Sequence, residues 1–454
     1  MSMIIWPHRI HPMLGSIVAQ PVMMNACDRT DSASTPSSPE PRTTDHGPRT
    51  ASATRTYRII MAGGGTGGHL YPGLAVADAL RTQLGESLQL VWAATPRQVD
   101  QRLLSQFGNA YIQQPVQPLI KDIKKIWSFW KGWRQSCSFW KSQFAQRPVD
   151  AVVALGGYAA GPAAYIASKS RIPVILLNPD ALPGLANRLL LRRANLVVTQ
   201  WALGAEYQEA VTGRTLPLGC PIRPDLLDRT REQGATALGI DPQIRTLVVT
   251  GASLGAKTIN DAMLKLLEDA EFRSCFENRP QTEGSASLTV QNSEFRIQNS
   301  NWQILHLAGL DQAAAVNAAY ARWPNIRVKV VDYCDDMASV WAVADLAIGR
   351  AGASTCAELT ACGVPSILMP YPFHKDLHQK ANAMELVRAG AAVIVDDAKD
   401  ANANGLAVKK PLETLLYDDA ARQRMAEAAR VCGKPDAAAN IAKEILSLID
   451  RKTR

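Results

Sequence analysis

The amino-acid sequence predicts an α/β protein made of two Rossmann-like domains, each with a doubly wound parallel sheet. A short apolar run, a glycine-rich turn and an apolar-periodic segment recur in that order, starting at residues 58–61, 150–155, 246–250 and 345–348. This alternation is typical of the strand–turn–helix units that build parallel sheets. The chain has 454 residues, too many for one hydrophobic core, so we expect two domains.

The first glycine-rich turn is the most informative segment. Residues 63–69 read GGGTGGH, after a strand-like run and before apolar periodicity that starts at Leu74. Glycine lets the backbone approach a ligand closely, and a helix N-terminus presents free N–H groups and a dipole that favours anions. The segment therefore predicts a ligand that carries phosphate.

Dinucleotide binding is an alternative, because three of these glycines fit the G-x-G-x-x-G pattern. That interpretation requires a carboxylate at the end of the second strand to hold a ribose hydroxyl. Here the strand at residues 88–92 is followed by AATP, without an acidic residue, and His69 directly follows the last glycine. Binding of NAD or FAD is therefore disfavoured.

Two later turns have the same character. Residues 156–158 (GGY) follow the strand at 150–155, and residues 251–256 (GASLGA) follow the strand at 246–250. The carboxyl ends of parallel strands are where α/β sheets bind ligands, so both turns are candidate phosphate sites. A tight turn without a ligand is the alternative for residues 156–158.

Residues 64–69 (GGTGGH) and 72–75 (PGLA) resemble the first glycine loop of the MurG family, which is part of glycosyltransferase family 28. The resemblance extends from about Tyr57 to Arg454. It implies a GT-B fold, in which two Rossmann-like domains face a central cleft. It also implies an inverting enzyme that moves GlcNAc from UDP-GlcNAc to the MurNAc O4 of lipid I (undecaprenyl-pyrophosphoryl-MurNAc-pentapeptide). The product would be lipid II, for peptidoglycan synthesis.

The resemblance and the composition together suggest the domain limits. Residues 1–56 are expected to be a disordered extension, rich in Ser, Thr, Pro and charge; a secretory signal is the alternative for their first part. Residues 57–222 would form the domain that faces acceptor and membrane, joined by a C-terminal helix at 437–454. Residues 223–436 would bind UDP-GlcNAc, with a polar inserted loop at about 271–301.

The resemblance also assigns roles to matching positions. The residues expected to bind the donor are Thr66, Gly67, Gly68, Asp180, Arg223, Ser253, Cys334, Glu358, His378 and Gln379. The residues expected to bind the acceptor pyrophosphate are Gly64, Gly65, Gly156, Gly157 and Tyr158. Glu358 would hold the ribose, and Cys334 would contact uracil through its main chain. Asp180 stands where the family has an asparagine, so its carboxylate accepts hydrogen bonds but donates none.

The expected chemistry uses no metal and no other cofactor. The sequence contains no D-x-D triplet, the usual metal–nucleotide clamp of the other main glycosyltransferase fold. Helix N-termini, Ser253 and Arg223 would neutralise the departing UDP. The attacking hydroxyl must lose a proton, and His69, with an ordinary pKa of about 6.5, is the candidate base. The alternative for His69 is a hydrogen bond donated to a phosphate.

Residues 119–147 predict an amphipathic helix with an aromatic stripe and a basic flank. The residues expected to contact the anionic inner leaflet are Trp127, Trp130, Trp133, Lys124 and Lys125. The enzyme would then be peripheral, on the cytoplasmic face of the cell inner membrane. The alternative is a helix that buries its stripe against the sheet. Nucleic acid is disfavoured as a partner, because the basic flank lies in one helix of an otherwise complete enzyme.

Two other functions remain open from the sequence. Another GT-B enzyme that uses a UDP-sugar, such as a glycolipid glycosyltransferase or a UDP-GlcNAc epimerase, would share the second-half motifs but would not need residues 156–158. A non-catalytic UDP-sugar sensor is motivated by Asp180 and by Leu254, which replaces a glutamine of the family pattern. The eight cysteines form no C-x-x-C pair and are typical of scattered thiols in a reducing compartment.

Overall fold

A computed structural model provides the structure of the chain. It describes residues 55–106, 108, 111–118, 123–251, 255–277, 302–373 and 377–453. The disordered extension predicted at 1–56 lies almost wholly outside these ranges. Ser253 and residues 278–301 of the predicted insertion also lie outside them.

The first sheet is parallel and has the strand order β3-β2-β1-β4-β5-β6-β7. Its strands are β1 Tyr57–Gly63, β2 Leu88–Ala94, β3 Tyr111–Gln113, β4 Ala151–Gly156, β5 Val174–Asn178, β6 Leu196–Thr199 and β7 Arg214–Leu216. In the central strand β1, Ile59 pairs with Leu90 of β2 on one side and with Ala151 of β4 on the other. The strand order reverses between β1 and β4, which makes that position the topological switch point where such sheets bind ligands.

Helices cover both faces of this sheet. They are α1 Gly67–Leu84, α2 Gln98–Gln106, α3 Ile123–Gln146, α4 Ala160–Lys169, α5 Leu185–Leu191 and α6 Ala205–Gln208, with a 3₁₀ turn at Gly85–Ser87. Side chains alternate along β1, so Ile59 and Met61 pack in the core under α1, whereas Ile60 and Ala62 pack in the core under α3 and α4. Every residue of β4 is buried, as expected for a central strand that is covered on both faces.

The second sheet is also parallel, with the order β10-β9-β8-β11-β12-β13. Its strands are β8 Arg245–Thr250, β9 Trp302–Leu307, β10 Val328–Val331, β11 Ala344–Gly349, β12 Ser366–Leu368 and β13 Ala392–Ile394. The helices of this half are α7 Arg231–Leu238, α8 Lys257–Leu266, α9 Ala270–Arg273, α10 Ala313–Tyr320, α11 Met337–Val343, α12 Ala353–Cys362, α13 His378–Arg388, α14 Ala401–Tyr417 and α15 Asp419–Cys432, with 3₁₀ turns at Pro224–Leu227 and Ser274–Phe276. The strand order reverses between β8 and β11. The predicted fold class, two doubly wound parallel sheets, is confirmed.

We call the first sheet and its helices the first lobe, and the second sheet and its helices the second lobe. The chain enters the core of the second lobe at Cys220 and Ile222, just ahead of the predicted boundary. The final helix, α16 Ala437–Thr453, returns to the first lobe. It buries Ile441 and Ile445, four residues apart and therefore on one helix face, in the core that also contains α1.

The predicted start of the polar insertion is corrected by the structure. No surface loop begins at Glu271, because this residue lies in α9. That helix and the following 3₁₀ turn bury Phe272 and Phe276 in the core of the second lobe. These two aromatic residues are four apart and pack against each other, with ring centres 5.6 Å apart. Along the described part of the chain, no helix combines the length and the apolar character needed to cross a bilayer.

Candidate active site

The carboxyl ends of the two sheets border a cavity of about 480 Å³. Residues of both lobes line it, including the last residue of β8 and segments that follow β1, β5, β10 and β11. The predicted site residues that line the cavity are Thr66, Gly67, Gly68, His69, Asp180, Arg223, Cys334, Glu358, His378 and Gln379. The donor positions predicted from both halves of the sequence are thus brought together, apart from Ser253, which lies outside the described residues.

The first glycine loop, residues 63–69, connects β1 to α1. α1 begins at Gly67, no side chain caps its N-terminus, and the residues of its first turn line the cavity. The Gly65 N–H is already engaged, because it donates to both carboxylate oxygens of Asp100 at 2.7 and 3.0 Å. The sequence-based expectation that this N–H binds phosphate is therefore corrected. The roles of Gly64 and Gly65 in acceptor binding stay a prediction.

Asp100 was not among the predicted site residues. Its side chain is fully buried and also accepts hydrogen bonds from the Thr95 N–H (2.9 Å) and the Thr95 hydroxyl (2.6 Å). Gly64 must lack a side chain here, since a Cβ on it would come within 2.2 Å of an Asp100 oxygen. Asp100 thereby fixes the shape of the first loop.

His69 lies in the first turn of α1 and packs against the second glycine loop, residues 156–158. A Cβ at Gly156 would lie 2.9 Å from the imidazole Nδ1, and one at Gly157 would lie 3.3 Å from Cδ2. Both glycines have positive φ angles, +103° and +71°. The second loop is therefore the surface on which the imidazole rests, and the absence of side chains there makes room for it.

Burial lowers the pKa of His69 below its ordinary value, against the opposing charges of Asp180 and Asp100. The imidazole is therefore neutral at neutral pH. A neutral imidazole has a lone pair and is able to accept a proton.

Asp180 is held at the cavity by a residue of the opposite lobe. The Asn382 amide nitrogen donates to Asp180 Oδ1 at 2.9 Å, and the Asn382 carbonyl accepts from the Ala181 N–H at 2.8 Å. Asn382 is fully buried and also donates to the Ala351 carbonyl. The carboxylate that replaces the family's asparagine is thus accommodated by a donor from α13.

Glu358 lies on α12 and lines the cavity. Trp341 Nε1 of α11 donates to Glu358 Oε2 at 2.9 Å. Burial raises the pKa of Glu358, although this hydrogen bond and the charge of Arg223 act in the opposite direction. The carboxylate is oriented by Trp341, a residue that the sequence reasoning missed, and is suited to accept from paired hydroxyls.

Arg223 joins the two lobes at the mouth of the cavity. Its Nη2 donates to the Asp335 carbonyl at 2.9 Å, and its guanidinium carbon lies 5.8 Å from the ring centre of Tyr71 on α1. The Tyr71 and Tyr333 hydroxyl oxygens are 3.2 Å apart. The loop before Met337, which contains Cys334, is therefore held against the first lobe.

A helix N-terminus of the second lobe also faces the cavity. α12 begins at Ala353 after β11, and Ser354 and Thr355 line the cavity although they were not predicted as site residues. On the neighbouring α13, Gln379 lines the cavity while its carbonyl accepts from the Tyr371 N–H at 2.9 Å. The Gln379 amide nitrogen is therefore the end that offers donors to a ligand.

The tryptophan stripe of α3 is divided between core and surface. Trp140 is fully buried and donates to Gln114 at 2.8 Å, and Trp133 packs where a Cβ on Gly161 of α4 would fall, 2.6 Å from its ring. Trp127 and Trp130 are 76% and 53% exposed. Of the three tryptophans predicted to contact the membrane, these last two are exposed, whereas Trp133 is half-buried. The side chains of Lys124 and Lys125 lie outside the described residues.

Within the ranges that the structure describes, no cluster of three or more His, Cys, Asp or Glu side chains is arranged to hold a metal ion. The cavity lining combines two histidines, four Asp or Glu side chains, one arginine and two helix N-termini. This set suits a ligand that carries both phosphate and hydroxyl groups.

Family models match both lobes. Residues 59–199 match the N-terminal domain of glycosyltransferase family 28, and residues 246–445 match the C-terminal domain of the same family.

Two similar proteins, from Thermodesulfovibrio yellowstonii and Salinibacter ruber, are named UDP-N-acetylglucosamine--N-acetylmuramyl-(pentapeptide) pyrophosphoryl-undecaprenol N-acetylglucosamine transferase. The first is 33% identical over 404 residues, covering 87% of this chain and 100% of the relative. The second is 34% identical over 408 residues, covering 88% of this chain and 99% of the relative.

Solved structures agree with the fold. MurG from Acinetobacter baumannii is 28% identical, with a TM-score of 0.61 and coverage of 86% of this chain and 99% of that chain. UDP-GlcNAc 2-epimerase from Neisseria meningitidis, solved with UDP-GlcNAc, is 12% identical, with a TM-score of 0.57. The match covers 86% of this chain and 100% of that chain. At that identity the second likeness concerns the fold alone.

Proposed function

The chain belongs to glycosyltransferase family 28, and we propose that it transfers GlcNAc from UDP-GlcNAc to the MurNAc O4 of lipid I. The observation that carries this proposal is the cavity at which His69 of the first lobe meets the donor-type residues of the second lobe. The names of the relatives from Thermodesulfovibrio yellowstonii and Salinibacter ruber support the choice of donor and acceptor.

In this proposal the second lobe binds UDP-GlcNAc. Glu358, oriented by Trp341, accepts from the ribose hydroxyls, and the main chain at Cys334 contacts uracil. Arg223 and the N-terminus of α12 offset the charge of the diphosphate. The amide nitrogen of Gln379, with His378 beside it, contacts the sugar hydroxyls.

The first lobe binds the acceptor and provides the base. O4 of MurNAc attacks the anomeric carbon of GlcNAc, and the bond from that carbon to the UDP oxygen breaks with its electron pair leaving on UDP. The O4 proton passes to neutral His69. The reaction inverts the anomeric centre and gives a β-1,4 linkage, without a metal ion.

Release of UDP tests this function directly. Purified protein receives UDP-GlcNAc and a short-chain lipid I analogue, with and without EDTA. We expect release that requires the acceptor and resists EDTA. Release without acceptor would favour the epimerase alternative, and binding of UDP-GlcNAc without any release would favour the sensor.

The pH dependence of the reaction tests His69 as the base. Because burial holds the pKa of His69 below 6.5, the acidic limb of kcat/KM should lie below pH 6.5, where protonation removes the base. The negative charge of Asp180 raises this pKa, so Asp180→Asn should lower it and move the acidic limb to still lower pH. The asparagine carbonyl keeps the acceptor for Asn382.

The control for this experiment is Asp78→Asn, on the outer part of α1, where Asp78 pairs with Arg81. Its pH profile should match that of the wild type. An acidic limb that stays in place in Asp180→Asn, or moves to higher pH, would contradict the assignment of His69.

We also propose that α3 docks the enzyme on the anionic inner leaflet, through Trp127 and Trp130 with the exposed Lys131 and Arg134 beside them. Exposed aromatic rings next to basic side chains suit the headgroup region of an anionic membrane. The enzyme would then act from the cytoplasmic face of the inner membrane.

Vesicle flotation measures this contact. Trp127→Ala/Trp130→Ala protein should bind phosphatidylglycerol-containing vesicles about tenfold or more weakly, because two apolar rings leave the interface. Leu406→Ala/Val431→Ala removes two apolar side chains of the second lobe that are at least as exposed, and this variant should bind as the wild type does. Equal flotation of all three proteins would refute the docking surface.

A further inference from the structure

Arg97 lies between the two glycine loops of the first lobe. Its Nη1 donates to the Gly65 carbonyl at 2.9 Å, and its guanidinium carbon lies 5.8 Å from the ring centre of Tyr158. Gly65 belongs to the first loop and Tyr158 to the second. The loops also meet directly, since a Cβ at Gly157 would lie 3.0 Å from the Gly64 carbonyl oxygen. One guanidinium therefore contacts both loops.

No carboxylate in the described part of the chain neutralises the charge of Arg97. The side chain is exposed, and among the described residues it forms no ion pair. A guanidinium has five N–H donors, and the Gly65 carbonyl takes one of them. The remaining donors keep the forked geometry that matches two phosphate oxygens.

The glycine loops need such a cation if they are to hold an anion. The Gly65 N–H, which a phosphate would otherwise use, donates to the buried carboxylate of Asp100. That carboxylate also places a negative charge beside the loop. The N-terminus of α1 contributes only a partial positive charge. A diphosphate at this position therefore requires a full positive charge nearby.

We propose that Arg97 binds the diphosphate of the lipid-linked acceptor, and that the Gly65 carbonyl and the Tyr158 ring hold the guanidinium ready for it. This inference rests on the proposed function. In the acceptor, the diphosphate and the reacting O4 lie at opposite ends of one sugar ring. Arg97 and His69 both lie against the paired loops, so the same sugar is able to reach both residues.

Steady-state kinetics test the proposal. Arg97→Ala should raise the KM for a short-chain lipid I analogue by about 10- to 100-fold, the loss expected for charge-assisted hydrogen bonds. The KM for UDP-GlcNAc and the thermal unfolding midpoint should stay at wild-type values, because the side chain is exposed and lies outside the donor cavity. Arg97→Lys should recover part of the loss. Arg81→Ala, which removes a half-buried arginine on α1 that pairs with Asp78, should leave both KM values unchanged.

A binding measurement separates this inference from the proposed function. With UDP saturating the donor cavity, geranyl diphosphate should bind the wild type and Arg81→Ala equally, and Arg97→Ala about 10- to 100-fold more weakly. Geranyl alcohol should show no such difference. Equal binding of geranyl diphosphate to all three proteins, or an unchanged acceptor KM in Arg97→Ala, overturns the role of Arg97. Absence of transfer by the wild type overturns the proposed function alone, since the binding measurement still decides on Arg97.

Discussion

Replacing His69 with alanine should lower kcat by about 10²- to 10⁴-fold, the range expected for loss of a general base. The imidazole lines the cavity, rests on the second glycine loop and is kept neutral by burial. Transfer requires O4 to lose its proton, and the side chains proposed to bind UDP lie mainly on the other lobe. Binding of UDP, measured by calorimetry, should therefore stay within about twofold of the wild-type value.

His69→Asn distinguishes the two roles that remain open for this residue. The asparagine amide donates a hydrogen bond but does not accept a proton at neutral pH. If His69 is the base, His69→Asn should be as slow as His69→Ala. Substantial turnover by His69→Asn, together with slow turnover by His69→Ala, would instead assign His69 to a hydrogen bond with phosphate.

Gly156→Ala should have the second large effect, because it displaces the imidazole of His69, the proposed base, and leaves the His69 side chain itself unchanged. The added methyl group would lie 2.9 Å from His69 Nδ1, closer than real Cβ contacts allow, so the imidazole has to move. The φ angle of Gly156 is +103°, which costs a non-glycine residue about 1–3 kcal/mol. We expect kcat to fall by about 10²-fold, since a small misplacement of reacting groups is sufficient for such a loss.

The matched control is Gly204→Ala, in the same lobe. Gly204 has a φ of −58°, and the nearest heavy atom to an added Cβ is 3.9 Å away. This variant should keep wild-type kcat and thermal stability. Wild-type kcat in Gly156→Ala would show that the position of His69 on the second loop does not matter for turnover.

The sequence was sufficient to predict the fold class and ten of the residues that line the cavity. Apolar runs followed by glycine turns identified the strands before both switch points. A buried parallel strand needs a continuous apolar run, and a tight turn follows its carboxyl end. Glu358 and His69 were found in the same way, since each lies within the first turns of a helix that follows such a strand.

The partners of these residues were not predictable from local pattern. Asp100 binds Gly65 across 35 residues of sequence, and Asn382 binds Asp180 across 202 residues. No periodicity links such pairs, because their contact depends on how the elements pack in three dimensions. The Gly65 N–H was therefore expected to be free for phosphate, whereas an internal carboxylate occupies it.

The aromatic stripe of α3 shows a different limit. Its spacing correctly indicated one helix, but the stripe alone does not tell which rings meet another element. Trp133 packs beside Gly161, a residue whose missing side chain leaves room for the ring, whereas Trp127 lies one and a half turns earlier and remains exposed. The division between core and surface depends on the position of α4, which the sequence of α3 does not contain.

Identification of the product tests the central claim most directly. The protein is incubated with UDP-GlcNAc and a short-chain lipid I analogue, and the products are analysed by mass spectrometry and by NMR of the new linkage. The account predicts one added N-acetylhexosamine on the acceptor, joined β-1,4 to MurNAc, and no such product with His69→Ala. An unmodified acceptor together with free N-acetylmannosamine and UDP would contradict it and identify the chain as an epimerase.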